Sequence, residues 1–304
     1  MSIEVSKIVQ GVEPSATLAM SAKAKELKSA GETVYNLSVG EPDFNTPDHI
    51  CDAAIAAMKA GYTRYTAASG IPELKEAVVA DYANRFGLNY KASQCVVSNG
   101  AKHSLHNAFF ATLDPGDEVI LPAPCWVSYA ELIKLTGAKP IVLQTKEEEG
   151  FKLTAESLRA AIGPKTRMLL LCNPSNPTGS CYTSEELLAL AQVVVEKNIF
   201  VVADEIYERL VYGGRAFTSF PTVCDGLQDR TILIGGVSKT YAMTGWRIGW
   251  LLAPENVSKK IGSLQSQETS NPCSVSQYAA LAALRGDQSC VEAMKVDLKS
   301  VAIT

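Results

Sequence analysis

Two ionisable side chains placed after separate hydrophobic segments could carry chemistry in this sequence. Asp204 follows the apolar run of residues 200–203, and Lys239 lies three positions beyond the run of residues 231–236. A lysine amine can form a Schiff base with an aldehyde, and a carboxylate can keep a pyridine nitrogen protonated. The pair therefore predicts chemistry on an aldehyde that is attached to a nitrogen heterocycle.

The elements that must position this pair alternate between strands and helices from residue 94 onwards. Continuous apolar runs, which strands buried on both faces require, predict six strands. This alternation predicts an α/β fold with a three-layer large domain around a mainly parallel sheet. The predicted strands are residues 94–98, 118–123, 140–144, 167–173, 200–205 and 231–236, with helices at 15–30, 102–113, 127–137 and 184–198.

Ligands of parallel sheets gather beyond the carboxyl ends of the strands, so the lysine and the aspartate should meet at one edge. Together they are a protein's contribution to pyridoxal phosphate chemistry. A phosphate would bind the free N–H groups at Gly100, Ala101 and Lys102, which open a predicted helix. Arg247 adds a bidentate cation and Ser238 a hydroxyl.

Other motifs for nucleotide or acyl chemistry are missing from the sequence. Neither G-x-G-x-x-G nor G-x-S-x-G occurs, and residues 235–240 lack the glycine that precedes the lysine of a P-loop. Taken singly, Asp204 could cap a helix, Lys239 could lie at the surface and Trp126 could belong to the core. Their joint placement after successive strands favours a shared site.

Composition excludes several classes of protein. The 304 residues are 47% hydrophobic and carry 28 Lys+Arg against 32 Asp+Glu, a net charge of −4 that predicts no nucleic-acid partner. No apolar run approaches the ~18 residues of a membrane span, and residues 1–14 lack the apolar core of a secretory signal. We therefore expect a cytoplasmic protein without a membrane partner.

Cysteine and histidine residues give no sign of a metal site. The eight cysteines form no C-x-x-C pair and are expected to be reduced and buried. His103 and His106 have H-x-x-H spacing in a predicted helix, but the sequence shows no third ligand nearby. The expectation is that no metal binds.

Three spaced motifs resemble those of class I pyridoxal-phosphate-dependent aminotransferases, most closely the bacterial aspartate or aspartate/prephenate branch. The resemblance extends to about residue 290 and implies the type I fold of these transferases, a homodimer, and pyridoxal 5′-phosphate as cofactor. It also implies amino-group transfer between an amino acid, aspartate or glutamate, and a 2-oxo acid. The motifs are residues 176–179, 204–207 and 238–249, with further matches in order at 39–44, 114–119 and 126–129.

The same resemblance assigns roles by position. Lys239 matches the residue that binds the aldehyde and shuttles the proton, and Asp204 matches the partner of the ring nitrogen. Tyr207 and Asn176 match donors to the phenolic oxygen of the ring, and Trp126 matches the side chain stacked on it. The remaining matches are the phosphate-binding Gly100, Ala101, Lys102, Ser238 and Arg247, with Tyr65 from a neighbouring subunit, and the substrate-contacting Gly40, Trp126 and Asn176.

The organisation of the chain departs from this family in one respect. Family members continue past residue 304, and their C-terminal segment carries an arginine that binds the substrate α-carboxylate. We therefore expect a shortened chain that holds the cofactor but binds amino acids poorly. The expected parts are an N-terminal segment of a small domain (1–45), the large pyridoxal-phosphate-binding domain (46–286) and the start of an interdomain helix (287–304), the remainder of the small domain being absent.

Two expectations accompany this shortened organisation. Val291, Met294, Leu298 and Val301 share one face of the last predicted helix and form an exposed apolar stripe. Two alternatives to aminotransfer also stay open. One is a carbon–sulfur lyase of the same fold, and the other is a fragment without catalytic activity.

Overall fold

A seven-stranded sheet lies at the centre of the computed structural model, which describes residues 3–38 and 40–301. Val39, the side chain of Val301 and residues 302–304 lie outside the described part, so the predictions that fall on them have no structural account. The order across the sheet is β1-β7-β6-β5-β4-β2-β3. The strands are β1 (Cys95–Ser98), β2 (Glu118–Ala123), β3 (Lys139–Gln144), β4 (Thr166–Cys172), β5 (Phe200–Asp204), β6 (Thr231–Gly236) and β7 (Gly249–Leu252).

Strands β3, β2, β4, β5 and β6 pair in parallel, which confirms the mainly parallel sheet. The sequence did not predict β7, which runs antiparallel between β1 and β6. Its four residues are too few to show a strand periodicity. The prediction of burial on both faces was wrong for β3, because this edge strand pairs only with β2 and leaves Val142 46% exposed.

Helices cover both faces of the sheet and complete three layers. One face packs against α5, α6 and α9, and the other against α3, α4, α7, α8 and α10. The helices are α1 (Lys7–Gln10), α2 (Ala16–Ser29), α3 (Asp48–Lys59), α4 (Pro72–Phe86), α5 (Ala101–Thr112), α6 (Ser128–Leu135), α7 (Ala155–Ala161), α8 (Ser184–Glu196), α9 (Glu255–Glu268), α10 (Ser274–Arg285) and α11 (Ser289–Val301).

Local sequence explains where α8 begins. The Thr183 hydroxyl accepts a hydrogen bond from the Glu186 N–H (3.2 Å), and the Glu186 carboxylate accepts one from the Thr183 N–H (2.7 Å). This reciprocal capping satisfies two of the N–H groups that a helix start leaves free. It confirms the helix start that the Thr-Ser-Glu-Glu sequence predicts.

The two ends of the described chain differ in burial. Among residues 3–38 and 40–45, only Ala24 is buried. In α11, by contrast, Val291 is 1% exposed and Met294 8% exposed, so the predicted exposed stripe is wrong at both positions. Val291 joins the core that α4 and α10 form, which the sequence of α11 alone does not reveal. No helix in the described part is both long and apolar enough to cross a membrane.

Candidate active site

A cavity of about 320 Å³ lies beyond the carboxyl ends of β5 and β6, and we call it the inner cavity. Such a volume lies in the range of small-ligand sites. The structure thus brings most of the predicted site residues together. Those that line the inner cavity are Gly40, Ala101, Lys102, Trp126, Asn176, Asp204, Tyr207, Ser238, Lys239 and Arg247.

Asp204 ends β5 and is only 3% exposed. Its carboxylate accepts hydrogen bonds from the Tyr129 hydroxyl (2.7 Å) and from the Ile206 N–H (3.2 Å). Burial raises the pKa of this carboxyl, against the opposing effect of these donors. No described lysine, arginine or histidine forms a salt bridge with Asp204, and a buried carboxylate is costly without a cation. A protonated ring nitrogen fits this position.

Lys239 follows β6 and points toward the same space. Its Nζ donates to the Gly40 carbonyl oxygen (2.6 Å) and lies 5.8 Å from the centre of the Tyr207 ring. Burial lowers the pKa of Lys239, and Arg247 lowers it further, while Glu41 and Asp204 oppose the shift. A lowered pKa increases the fraction of neutral amine, which is the nucleophilic form.

Aromatic and amide groups form the walls between the two charged residues. The Asn176 side-chain N–H donates to the Tyr207 hydroxyl at 3.4 Å. The Trp126 ring packs edge-on against Tyr129, with 5.3 Å between ring centres. Lys102 Nζ lies 4.7 Å from the centre of the Trp126 ring. These walls suit a flat ring that carries a polar substituent.

The start of α5 lines the inner cavity and has the features of an anion site. Gly100 precedes the helix with φ of +86°, and a Cβ there would overlap the Arg247 guanidinium. Within residues 3–38 and 40–301, the Ala101 and Lys102 N–H groups have no acceptor. Arg247 donates to the Thr244 carbonyl (2.9 Å) and is held beside them. Free N–H groups and a guanidinium fit a phosphate.

The sequence analysis did not predict one glycine that contributes to this anion site. Gly249 starts β7, and a Cβ there would overlap the backbone of Gly100 and Ala101. Gly249 is the last residue of the predicted motif 238–249. Its presence there was a signal of this close approach, because only glycine lets two backbones come so near. Tyr65, by contrast, is 90% exposed and does not line the inner cavity of its own chain.

A second cavity of about 560 Å³, which we call the outer cavity, also adjoins Lys239. It shares Gly40, Asn176, Tyr207 and Lys239 with the inner cavity. Its other polar residues were assigned no role from the sequence, although Glu41 lies within the matched segment 39–44. They include Glu41, Tyr212 and Arg215, and Leu298 of α11 adds an apolar side chain.

The histidine pair has a third partner that the sequence did not indicate. Glu268 of α9 lies 3.3 Å from His103 Nε2 and 2.9 Å from His106 Nε2, and it is more than 160 residues away along the chain, so sequence spacing could not indicate it. In the described part of the chain, no group of three or more His, Cys, Asp or Glu is arranged to hold a metal ion. All eight cysteines are free thiols.

The chain belongs to a known enzyme family. The family described as aminotransferase class I and II matches residues 32–302. Class I aminotransferases move an amino group between an amino acid and a 2-oxo acid with pyridoxal 5′-phosphate as cofactor, and this chain is a member of that class.

Similar proteins of known name lie in one branch of this family. The aspartate aminotransferase of Geobacillus stearothermophilus is 48% identical over 96% of this chain and 75% of the relative. The aspartate/prephenate aminotransferase of Cereibacter sphaeroides is 49% identical over 91% of this chain and 70% of the relative. The structure of Thermus thermophilus aspartate aminotransferase with maleate superposes with a TM-score of 0.93 at 41% identity, over 98% of this chain and 77% of that one.

Proposed function

We propose that this chain transfers the amino group of aspartate or glutamate to a 2-oxo acid, with Lys239 and Asp204 as its catalytic pair. The observation that carries the proposal is that both side chains line one cavity, at the ends of the paired strands β5 and β6. Relatives named aspartate aminotransferase support a dicarboxylic substrate, and so does the neighbour solved with maleate, a four-carbon dicarboxylate.

Pyridoxal phosphate, when bound, supplies an electron-withdrawing ring that makes the α-proton of an attached amino acid acidic. Asp204 would hold the ring nitrogen in its protonated form, and the Tyr129 hydroxyl would fix the orientation of that carboxylate. Tyr207 and Asn176 would donate to the phenolic oxygen. The phosphate would be held by the N–H groups of residues 101 and 102, together with Ser238 and Arg247.

Lys239 would accept the α-proton of the amino acid and would then donate a proton at C4′, the carbon of the cofactor that carried the aldehyde. This requires an amine that is neutral for part of the time at neutral pH. Burial and Arg247 both lower the pKa of Lys239 in that direction. The Gly40 carbonyl, which accepts from Nζ at 2.6 Å, orients the amine while it is free, and Gly40, Trp126 and Asn176 would then contact the substrate.

The test is an assay of the full chain with pyridoxal phosphate, aspartate and 2-oxoglutarate. We expect equal amounts of oxaloacetate and glutamate and the absorbance shift that a lysine-bound cofactor produces. A carbon–sulfur lyase would instead release pyruvate and ammonia from a sulfur amino acid without a keto-acid acceptor. A cofactor spectrum without turnover in either assay would contradict the proposal and favour a non-catalytic fragment.

We infer that the chain acts as a homodimer. The exposed Tyr65 supports this, because it would need a neighbouring subunit to reach a phosphate site. Light scattering should give twice the chain mass of 32.5 kDa, and Tyr65→Ala should weaken cofactor binding. A monomer with full cofactor affinity would contradict the dimer.

We also infer a location and a domain division. The free thiols of all eight cysteines are consistent with a reducing cytoplasm and a biosynthetic role in amino acid metabolism. The near absence of buried side chains between residues 3 and 45 supports assigning 1–45 to a small domain, 46–286 to the large domain and 287–304 to a connecting helix. Limited proteolysis should cleave first near residues 45 and 287.

A further inference from the structure

His103 lies at the third position of α5 and touches a different partner through each ring nitrogen. Nδ1 accepts a hydrogen bond from the Asn99 backbone N–H (3.2 Å), and Nε2 lies 3.3 Å from a Glu268 carboxylate oxygen. A neutral imidazole has one donor and one acceptor nitrogen. The Asn99 contact therefore requires the tautomer with hydrogen on Nε2, which donates to Glu268.

Asn99 is the residue that leads into the anion site. Its peptide N–H is held by His103, and its carbonyl oxygen accepts from the Arg247 guanidinium (3.4 Å). Gly100 follows directly, and then the free N–H groups of Ala101 and Lys102. The arrangement is similar to a capping box, in which a side chain at the third helical position returns to an N–H ahead of the helix.

We propose that neutral His103 is a positioning residue for the phosphate site, holding the turn at Asn99 so that the N–H groups of α5 and Arg247 face one anion. This inference rests on the proposed function of the inner cavity. His103 itself does not line that cavity. Protonation would place a hydrogen on Nδ1, opposite the Asn99 N–H, and the bond would be lost. Phosphate affinity should therefore fall when His103 is protonated.

The charged groups around His103 determine where this change occurs. Glu268 of α9 faces Nε2 and favours the imidazolium, whereas His106, which lies on α5 with His103, disfavours it. Arg247 lies beyond Asn99. Burial is the largest influence and lowers the pKa of His103 below its usual 6.5. The ring is neutral at pH 7.5, and the loss of affinity should develop in the acidic range.

The experiment measures the dissociation constant of pyridoxal phosphate for the full chain between pH 5 and 8. His103→Gln keeps an acceptor that does not titrate, His103→Leu has none, and His106→Gln is the matched control. At pH 7.5 we expect His103→Leu to bind about five- to tenfold more weakly, the effect of losing one hydrogen bond. His103→Gln and His106→Gln should stay within about twofold of the unaltered chain at that pH.

The acid side of the profile separates positioning from packing. The phosphate ionises with a pKa near 6 in every variant, so only differences between variants count. The unaltered chain and His106→Gln should lose more affinity toward pH 5 than His103→Gln does. An identical acid loss in His103→Gln would overturn the proposal, as would unchanged affinity in His103→Leu at pH 7.5.

NMR of the unaltered chain supplies a measurement that needs no variant to fold. The protein has three histidines, and the ring nitrogen shifts of His103 should show the tautomer with hydrogen on Nε2 at pH 7.5. The opposite tautomer would overturn the proposal. Failure of the His103 proposal can be told apart from failure of the proposed function, because the proposed function is tested by the lysine-bound cofactor spectrum and by amino transfer.

Discussion

The two cavities that meet at Lys239 are built from different parts of the chain. The inner cavity combines buried residues at or just after strand ends, among them Asp204 at 3% and Ser238 at 7% exposure, with exposed residues such as Lys102 and Arg247. The outer cavity is lined by exposed residues of connecting segments, such as Glu41 and Arg215. The groups proposed to bind the cofactor thus include buried side chains that the sheet fixes, whereas the charged groups that the outer cavity adds lie in exposed connecting segments.

This difference has an energetic reason. A charge held in a buried site acts through a low dielectric, so both its cost and its effect on a bound group are large. A charge at an exposed rim is screened by water and contributes at most about 1 kcal/mol. Substitutions should therefore have effects that decrease from the inner to the outer cavity, and the following predictions test that order.

The largest effect is expected at Lys239, which belongs to both cavities. Lys239→Ala should remove the absorbance shift of lysine-bound cofactor and reduce amino transfer by at least about 10³-fold, because nucleophile and proton carrier are both lost. The measurement is a cofactor spectrum followed by an assay with aspartate and 2-oxoglutarate. Lys260→Ala, at an exposed position of α9, is the control. An unchanged spectrum would refute the assigned role.

Asp204→Asn should come next and act in two directions. The charge that holds a protonated ring nitrogen is lost, so amino transfer should fall by about 10²-fold or more, while the amide still pairs with the Tyr129 hydroxyl. Burial raises the pKa of the Asp204 carboxyl in the folded protein, so folding favours its protonated form. This contribution to the free energy of unfolding is lost as the pH rises above the usual acid range and the carboxyl ionises.

The cofactor-free Asn variant should therefore be more stable than the unaltered chain at pH 7.5, on the order of 1 kcal/mol. Thermal unfolding with and without pyridoxal phosphate measures this, and the advantage should disappear once the cofactor is bound. Near-normal turnover would show that Asp204 does not hold the ring nitrogen. Lower stability of the cofactor-free variant would show that the Asp204 carboxylate is not a buried charge without a cation.

Glu205 is buried like Asp204 but does not line the inner cavity, so it shows the effect of burial alone. It follows Asp204 but faces the core, where it accepts from the Ser219 hydroxyl (2.7 Å) and the Phe220 N–H (2.8 Å). Burial raises the pKa of Glu205 to about 8. The folded state thus favours the protonated form, and its stabilising contribution should decrease between pH 5 and 8, by on the order of 3 kcal/mol.

Glu205→Gln should remove most of that pH dependence while amino transfer at pH 7.5 stays within about twofold. Denaturant unfolding at several pH values measures the free energy, and the exposed Glu156→Gln is the matched control. A large loss of turnover in Glu205→Gln would mean that a buried carboxyl outside the inner cavity affects the reaction as much as a residue that lines it.

The same contrast explains what the sequence could predict. Asp204 and Lys239 were found because a residue after a buried strand must lie at the edge of the sheet, and neighbouring strand ends converge. Tyr129 lies in the matched segment 126–129, but the sequence predicts no role for it, because its hydrogen bond to Asp204 joins residues 75 positions apart.

The outer cavity was not predicted because the charged groups that it adds to Lys239, Glu41 and Arg215, follow no strand end. Glu41, Tyr212 and Arg215 come together only through the tertiary fold. The position of Val291 in the core has the same cause, since an apolar stripe on a helix indicates a contact but not its partner. Sequence therefore revealed the groups at strand ends and in the matched motifs, and missed the partners that only the tertiary fold brings to them.

The smallest effect is expected at Arg215, the cation of the outer cavity other than Lys239. If a dicarboxylic substrate extends its second carboxylate into this cavity, Arg215→Gln should raise the KM for aspartate by up to about fivefold, the limit for an exposed ion pair. The KM for alanine should not change, because alanine has no second carboxylate. The exposed Arg167→Gln is the control. An equal increase for both amino acids would place the effect on the shared α-carboxylate, and a loss of kcat as large as at Asp204 would remove the distinction between the two cavities.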